Sequence, residues 1–273
     1  MIIETAQAIT TGLDLWEHRG KLASSLRKFW SLVRKGKQRI ALFGPGGVGK
    51  TTTAKFLAGS FDPLTFSASY DESLITENFS LKGDIVCSLI VPPGQERRRD
   101  RTWGDIYEIL AKGKINGIIN LVAFGYHSFW GLSYNETKYY QENMTKEDFV
   151  EAYLKARQAK EMDILRELMP RLSDVKKAPW MITLVNKQDL WWAERQAVRK
   201  HYMEGEYNAL IEQIVKTRGA KHFAHEYLSS SIVISNFATS HGELLAPTTQ
   251  GYDQTLQLVH LHRLIDTINA FTN

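Results

Sequence analysis

"GPGGVGKT", Gly44 to Thr51, satisfies the pattern G-x-x-x-x-G-K-[ST]. The run before it, Arg39 to Phe43, is short and apolar and ends on glycine, as a buried strand does. The run after it, Thr52 to Ala58, starts a helix. That strand–loop–helix context separates a phosphate-binding loop from a chance match. Gly44, Gly46, Gly47 and Gly49, with Val48 among them, allow a tight loop whose backbone N–H groups turn inward, and the helix start at Thr52 adds the positive end of its dipole. Lys50 brings a charge to the β- and γ-phosphates, and the Thr51 hydroxyl is a hard ligand for Mg²⁺.

Working outward, strands and helices alternate. Phe79 to Val91, interrupted at Lys82-Gly83-Asp84, reads as two antiparallel strands. A helix is predicted over Thr102–Lys112, a buried strand over Gly117–Phe124 and a strong helix over about Lys146–Met169, opened by Thr145 and Asp148. Met181–Val185 is a further strand, followed by a helical stretch over about 192–217. Ile232–Ser235 is predicted to be the last strand and Tyr252–Phe271 the last helix. Such alternation implies an α/β fold, a mostly parallel sheet with helices on both faces, whose ligands bind at the carboxyl ends of the strands.

A second motif leaves one of those ends. "NKQDL", Asn186 to Leu190, follows the strand at Met181–Val185. An ionised Asp189 can accept from both guanine N1–H and its exocyclic amino group, a paired contact that adenine does not offer. Asn186 either donates to a ring nitrogen or ties this loop to the phosphate loop, and the Lys187 stem can lie across the base.

With both motifs in order, the chain resembles the small Ras-like GTPases over roughly Gln38 to Phe271. The resemblance implies a P-loop NTPase G domain, a mostly parallel six-stranded sheet over 38–273, with GTP and GDP as substrate and product and Mg²⁺ as cofactor. Carried over, Lys50 and Thr51 are the phosphate and Mg²⁺ residues, and Asn186, Lys187 and Asp189 read guanine. The family's third base contact, a Ser-Ala after the final strand, would fall at Ser235-Asn236, where Asn replaces Ala.

The family's D-x-x-G motif is altered here. In "IVPPGQER", Ile90 to Arg97, the aspartate's place is held by Val91, while Gly94 and Gln95 keep the γ-phosphate-sensing and water-orienting places. A similar departure marks the bacterial polarity GTPases of the gliding-motility type. The aspartate meets Mg²⁺ through water, so its loss weakens an outer-sphere anchor and leaves the chemistry to Gln95 and Lys50. The resemblance therefore implies a slow GTP-hydrolysing switch. A hydrolysis-deficient scaffold is the alternative, as is a membrane or partner adaptor in which the nucleotide is structural. The first-switch threonine, a second Mg²⁺ ligand, falls at Thr65 by residue type and at Ser69 by spacing, with Ser67 between. Arg97, Arg98, Arg99 and Arg101 follow Gln95; a solvated switch face that meets an effector or activating protein outweighs an internal arginine finger.

Charge is concentrated at one end. Of 34 Lys/Arg and 30 Asp/Glu, residues 1–39 hold eight and three, a balance of +5, and the remainder sums to −1. A near-neutral main domain argues against a broad nucleic-acid face. Residues 1–37 form a basic amphipathic segment, with Leu15, Leu22, Leu26, Phe29 and Val33 on one stripe and Trp16 and Trp30 at its edge. That stripe suits docking on the domain or a partner, and weak membrane contact is the other reading. A single cysteine, Cys87, and a start without a basic leader and apolar core fit a cytoplasmic protein, or one peripheral to a membrane. The aromatic-rich loop at about 126–145 is long for such folds and reads as a packed lid or a partner surface. His222 and His225 lack a second ligand pair, so a surface or core role outweighs a metal site. Trp191 and Trp192 are placed either to shield the guanine or to pack under the next helix.

Overall fold

The computed structural model describes residues 12–36, 38–64, 77–80, 88–91, 104, 106–219 and 222–272. Thr11, Thr65, Ser67, Ser69, Gly94, Gln95 and Arg97 to Arg101 lie outside the described residues, and Val91 is described as backbone alone.

Among the described residues the main sheet has six strands: β1 (Arg39–Phe43), β2 (Glu77–Ser80), β3 (Ser88–Val91), β4 (Gly117–Val122), β5 (Trp180–Val185) and β6 (His225–Ser229). Their order is β2-β3-β1-β4-β5-β6. Only the β2–β3 pairing is antiparallel. Every position of β4 and β5 is buried, because helices cover both faces of a parallel sheet.

Alternate residues of each strand feed two cores. Ala41, Phe43, Met181 and Val185 face the side covered by α3 (106–111), α4 (Lys146–Asp174) and α7 (Glu206–Arg218). Ile40, Leu42, Ile182 and Leu184 face α1 (Gly12–Gly36), α2 (Lys50–Leu57) and α8 (Gln254–Thr272). This period-two division is what a strand between two helical layers requires.

The amphipathic segment belongs to the second core. Leu22 and Phe29 are buried in it, Leu15, Leu26 and Trp30 pack against it, and Trp16 stays exposed. Polar contacts fix the pairing with α8: Asn269 Nδ2 donates to the Ser25 carbonyl at 3.1 Å, and the Ser25 hydroxyl donates to Asp266 at 2.7 Å. Trp30 Nε1 reaches the Leu57 carbonyl at the end of α2. The helix runs unbroken through Gly20, where no other atom lies within 4 Å of a Cβ position. Thus 1–37 and 38–273 are not independent units where described: α1 is a wall of the domain.

Three sequence-based boundaries move. The last strand of the main sheet is His225–Ser229, not Ile232–Ser235, which lies in the loop beyond it. Ile232 is apolar because it is buried under α8, not because it pairs. The helix predicted to stop at Met169 continues past Pro170 to Asp174, since Leu172 is fully buried and Arg218 donates to the carbonyls of Leu172, Ser173 and Val175. Those are the carbonyls a helix end leaves unpaired. Its start agrees with the sequence: Thr145 and Asp148 form a capping box. Finally, the stretch over 192–217 is several pieces. A short helix α5 (Gln188–Trp191), a 3₁₀ turn, α6 (Arg195–Arg199) and a π turn (Lys200–Glu204) precede Gly205, which caps α7. A hairpin of β7 (Phe237–Ala238) and β8 (Leu244–Ala246) follows β6. Among the described residues no helix is long and apolar enough to cross a bilayer.

Phe29→Ala tests whether α1 is integral. Removal of a fully buried phenyl ring should cost about 3–5 kcal/mol in urea unfolding of the whole chain, whereas an appendage helix would leave the transition unmoved.

Candidate functional site

The carboxyl ends of β1, β4, β5 and β6 meet, and the loops that leave them form one site. The loop after β1 is held from three directions. Gly49, at φ 96°, starts α2 in the left-handed region, and a Cβ there would sit 2.6 Å from Asn186 Nδ2. Gly47, at φ 82°, faces the loop after β4, where a Cβ would lie 2.6 Å from the Ser128 nitrogen. Both positions therefore need glycine for backbone shape and for close approach. The sequence assigns the same duty to all four glycines, and here Gly46 differs. Positive φ falls at Gly44, Gly47 and Gly49, while Gly46 is half-buried in the turn without it. The demand for a tight loop is met by its neighbours. Val48 is fully buried beside it. Lys50 is buried and donates from Nζ to the carbonyls of Gly44 and Pro45, at 2.9 and 2.8 Å. The amine thus spans the mouth of its own loop, where a phosphate oxygen would join it. Thr51 and Thr52 are half-buried in the first turn of α2.

The two motifs are joined directly. Asn186 Nδ2 donates to the Val48 carbonyl at 2.8 Å, and Asn186 Oδ1 accepts from Ile232 N–H at 3.4 Å. Of the two roles open to Asn186 in the sequence, the structure shows the tie. Trp191 is buried and anchors the same residue, its Nε1 donating to the Asn186 carbonyl at 2.8 Å. Trp192 is half-buried against Tyr252 and His260. Both tryptophans pack around the loop.

Asp189 is 1% exposed, and both its oxygens are engaged: Oδ1 accepts from the Ser231 hydroxyl and Oδ2 from Ser235 N–H at 2.9 Å. Burial raises its pKa, and the Ser231 and Ser235 donors and the Lys187 charge oppose that rise. Lys187 sits at φ 58°, between this carboxylate and Ser128, whose hydroxyl oxygen its Nζ reaches at 3.3 Å. Lys187 as a residue is half-buried, and desolvation around its amine pulls that group down to about 8, with Asp189 acting the other way.

The shift of the last strand moves the loop that follows it away from Ser235-Asn236. The loop that leaves β6 begins at Ser230-Ser231, both fully buried, and Gln188 N–H bonds the Ser230 carbonyl. Ser235 reaches the site through its backbone alone, and Asn236 is exposed and turned to Thr248 N–H.

One part of the site was not legible as such. The loop over 123–128 closes on the phosphate loop, Ser128 N–H donating to the Gly47 carbonyl at 2.9 Å. It is organised by Glu161 of α4, whose buried carboxylate accepts from Ala123 N–H at 2.8 Å, from His127 Nε2 at 2.8 Å and from the Tyr202 hydroxyl. Burial lowers the His127 pKa and the Glu161 contact opposes that. A helix-surface pattern gives no signal for a carboxylate buried to hold a loop. The aromatic loop beyond it is packed inside: Phe129 meets Phe149 and Tyr153 of α4, Tyr153 meets Phe237 of β7, and Trp130 and Leu132 are exposed. His225 bonds Thr183 at 2.9 Å as a sheet residue, and among the described residues no group of three His, Cys, Asp or Glu is placed to hold a metal.

Position 91 closes β3 beside β1, one residue past the Ala41–Ile90 pair. Its antiparallel partner on β2 is Glu77.

The pH dependence of folding should report Lys187. Between about 8 and its ordinary 10.5, the unfolded chain holds a proton at this amine that the folded chain has released, so stability rises with pH across that window. Below it, both states are protonated and the full cost of burying the charge remains. Lys187→Met should flatten that rise in thermal unfolding scans from pH 7.5 to 10.5, and identical profiles would refute the burial.

No family model and no characterised protein sequence matches the chain. Among solved structures, it is similar to one described as the mammalian SRP receptor, with 18% identity over 71% of this chain and 92% of that one and a TM-score of 0.41. It is also similar to an ADP-ribosylation factor-like GTP-binding protein, the small COPII coat GTPase SAR1 of Encephalitozoon cuniculi in complex with GDP. There the identity is 14% over 94% of this chain and 92% of that one, with a TM-score of 0.42.

Proposed function

We propose that the chain is a guanine-nucleotide switch that binds GTP with Mg²⁺ in this site and hydrolyses it slowly. The carrying observation is the 2.8 Å bond from Asn186 to the Val48 carbonyl. It joins the loop we read as a phosphate cradle to the loop that carries Asp189, at the strand ends where ligands of such sheets bind, and so supports this reading.

The chain's own groups divide the work. The inward N–H groups of 46–51 and the start of α2 bind the phosphates, and Lys50 shares its charge between them and the Gly44 and Pro45 carbonyls. Asp189 selects the base. Since Ser231 and Ser235 already donate to it and it is 1% exposed, base insertion requires the 231–235 loop to lift so that N1–H and the amino group replace those donors. Gln95 orients the attacking water and Gly94 reports the γ-phosphate; both roles rest on the resemblance.

The residues fit Mg²⁺ as a cofactor held mainly by phosphate oxygens and water. Thr51 offers a hydroxyl at the start of α2, Thr65 is the second protein ligand proposed, and a metal with so few protein ligands is typical Mg²⁺ chemistry. When bound it neutralises charge on the β- and γ-oxygens. Val91 removes one outer anchor. Leu22 and Phe29 of α1 are buried in the core shared with α8 and α2, which favours the switch over the adaptor reading. Residues about 60–75 and 91–105 would carry the nucleotide state to an effector or activating protein.

Equilibrium binding to the purified chain should show GTP and GDP held at least about 100-fold more tightly than ATP, the weight of two lost charge-assisted hydrogen bonds. Asp189→Asn should move the preference to xanthosine nucleotides, whose O2 accepts from the new amide. Gln95→Leu should keep binding and lose single-turnover hydrolysis, and Val91→Asp should lower the Mg²⁺ concentration needed to retain nucleotide. Equal affinity for ATP and GTP would sink the reading.

A further inference from the structure

β6 is an edge strand, and it lies at the bottom of a slot. Among the described residues its only sheet partner is β5. Along its open edge runs a groove of about 410 Å³, walled on one side by the turn over 195–203 and on the other by α8 around Leu256, Val259 and Arg263. The walls come from opposite helical layers of the domain, so the slot continues the plane of the sheet outward.

The backbone direction of β6 follows from its neighbours. The Ala224 carbonyl accepts from Met181 N–H, and Ser230 N–H donates to the Val185 carbonyl. Backbone groups of successive strand residues point to alternate sides, so even-numbered residues here face β5. The N–H and C=O of His225, Tyr227 and Ser229 therefore face the slot, and none of them has a backbone partner among the described residues. Edge strands are usually blunted by lysine, proline or a bulge. β6, "HEYLS", has no lysine or proline, and its register with β5 is regular.

The slot is also charged in one sense. Arg199 and Arg263 each have a carboxylate nearby, Glu204 and Glu226 at 3.7 and 3.6 Å. Arg195 lies over the Trp192 ring, donates to the Trp192 carbonyl and has no carboxylate partner among the described residues. His225 and His260 are held at about 4 by burial and carry no charge at neutral pH. The excess charge is positive.

We propose that this slot docks an extended peptide segment of a partner protein, added to the sheet as a seventh strand beside β6 with an acidic side chain on Arg195. A helix about 10 Å wide would leave the edge groups unpaired. A strand instead matches their spacing of about 6.6 Å every second residue. The proposal does not depend on the nucleotide reading.

The test uses amide exchange of the full chain by NMR, with blocked octapeptides alternating Val and Glu as the probe. Saturable binding should slow exchange at the amides of Tyr227 and Ser229 by at least about tenfold, as new ladder bonds form. A Val/Lys peptide should bind at least about tenfold more weakly, and Arg195→Glu should reverse that order. N-methylation of alternate peptide residues should abolish binding in one phase and spare it in the other. No saturation with any peptide to millimolar concentration would overturn the proposal, and so would binding that survives methylation in both phases.

Discussion

The site stands on one hydrogen bond between a side-chain amide and a loop carbonyl. Asn186 Nδ2 meets the Val48 carbonyl, and the approach is close enough that residue 49 must be glycine. Both ends are buried, so an unmade bond would cost about 1–3 kcal/mol of desolvation with nothing in return. Its geometry is backed from behind by Trp191 on the Asn186 carbonyl and by Ile232 on its side chain. β1 and β5 are not neighbours in the sheet; β4 lies between them. The bond therefore spans a strand's width at the sheet's end and makes two separate loops one surface.

What supports that surface is a second buried polar device on the other side of the phosphate loop. Glu161 is a fully buried acidic residue of α4, held by the backbone N–H groups of 123 and 125, an imidazole and a phenol. A carboxylate buried this way is tolerable only when its lone pairs are filled. In return it fixes a loop with little regular structure of its own, including Phe124 at φ 50°. The loop then presses Ser128 onto Gly47.

The motifs were readable from sequence because their constraints are local. Gly44, Gly47 and Gly49 answer to a backbone shape, and Asn186 to Asp189 follow their strand at once, so spacing alone carries the chemistry. β6 was misplaced because an edge strand is half-exposed: "HEYLS" lacks the apolar signal that "IVIS", three residues on, supplies for another reason, the burial of Ile232 under α8. Pro170 carried its usual message, overridden by an arginine 48 residues later in the chain that serves the helix end. Glu161 and Arg218 share a property: each acts at a distance in sequence through a bond that no periodicity encodes. The amphipathic stripe of α1 was visible, but a stripe says only that something covers it, and α8 had to be seen doing so.

The pairing of α1 with α8 also sets an order of events in the making of the protein. Its polar contacts join residues 241 and 244 positions apart, among the longest sequence separations in the described residues. The first helix therefore leaves the ribosome with Leu22 and Phe29 uncovered and stays so until nearly the whole chain has followed. Contacts of such separation are formed late and slowly, and exposed apolar surface in the interval is where nascent chains are caught by chaperones or by one another. Completion of the domain is thus timed by its last helix, and a chain interrupted before residue 254 would have its second core open at both ends.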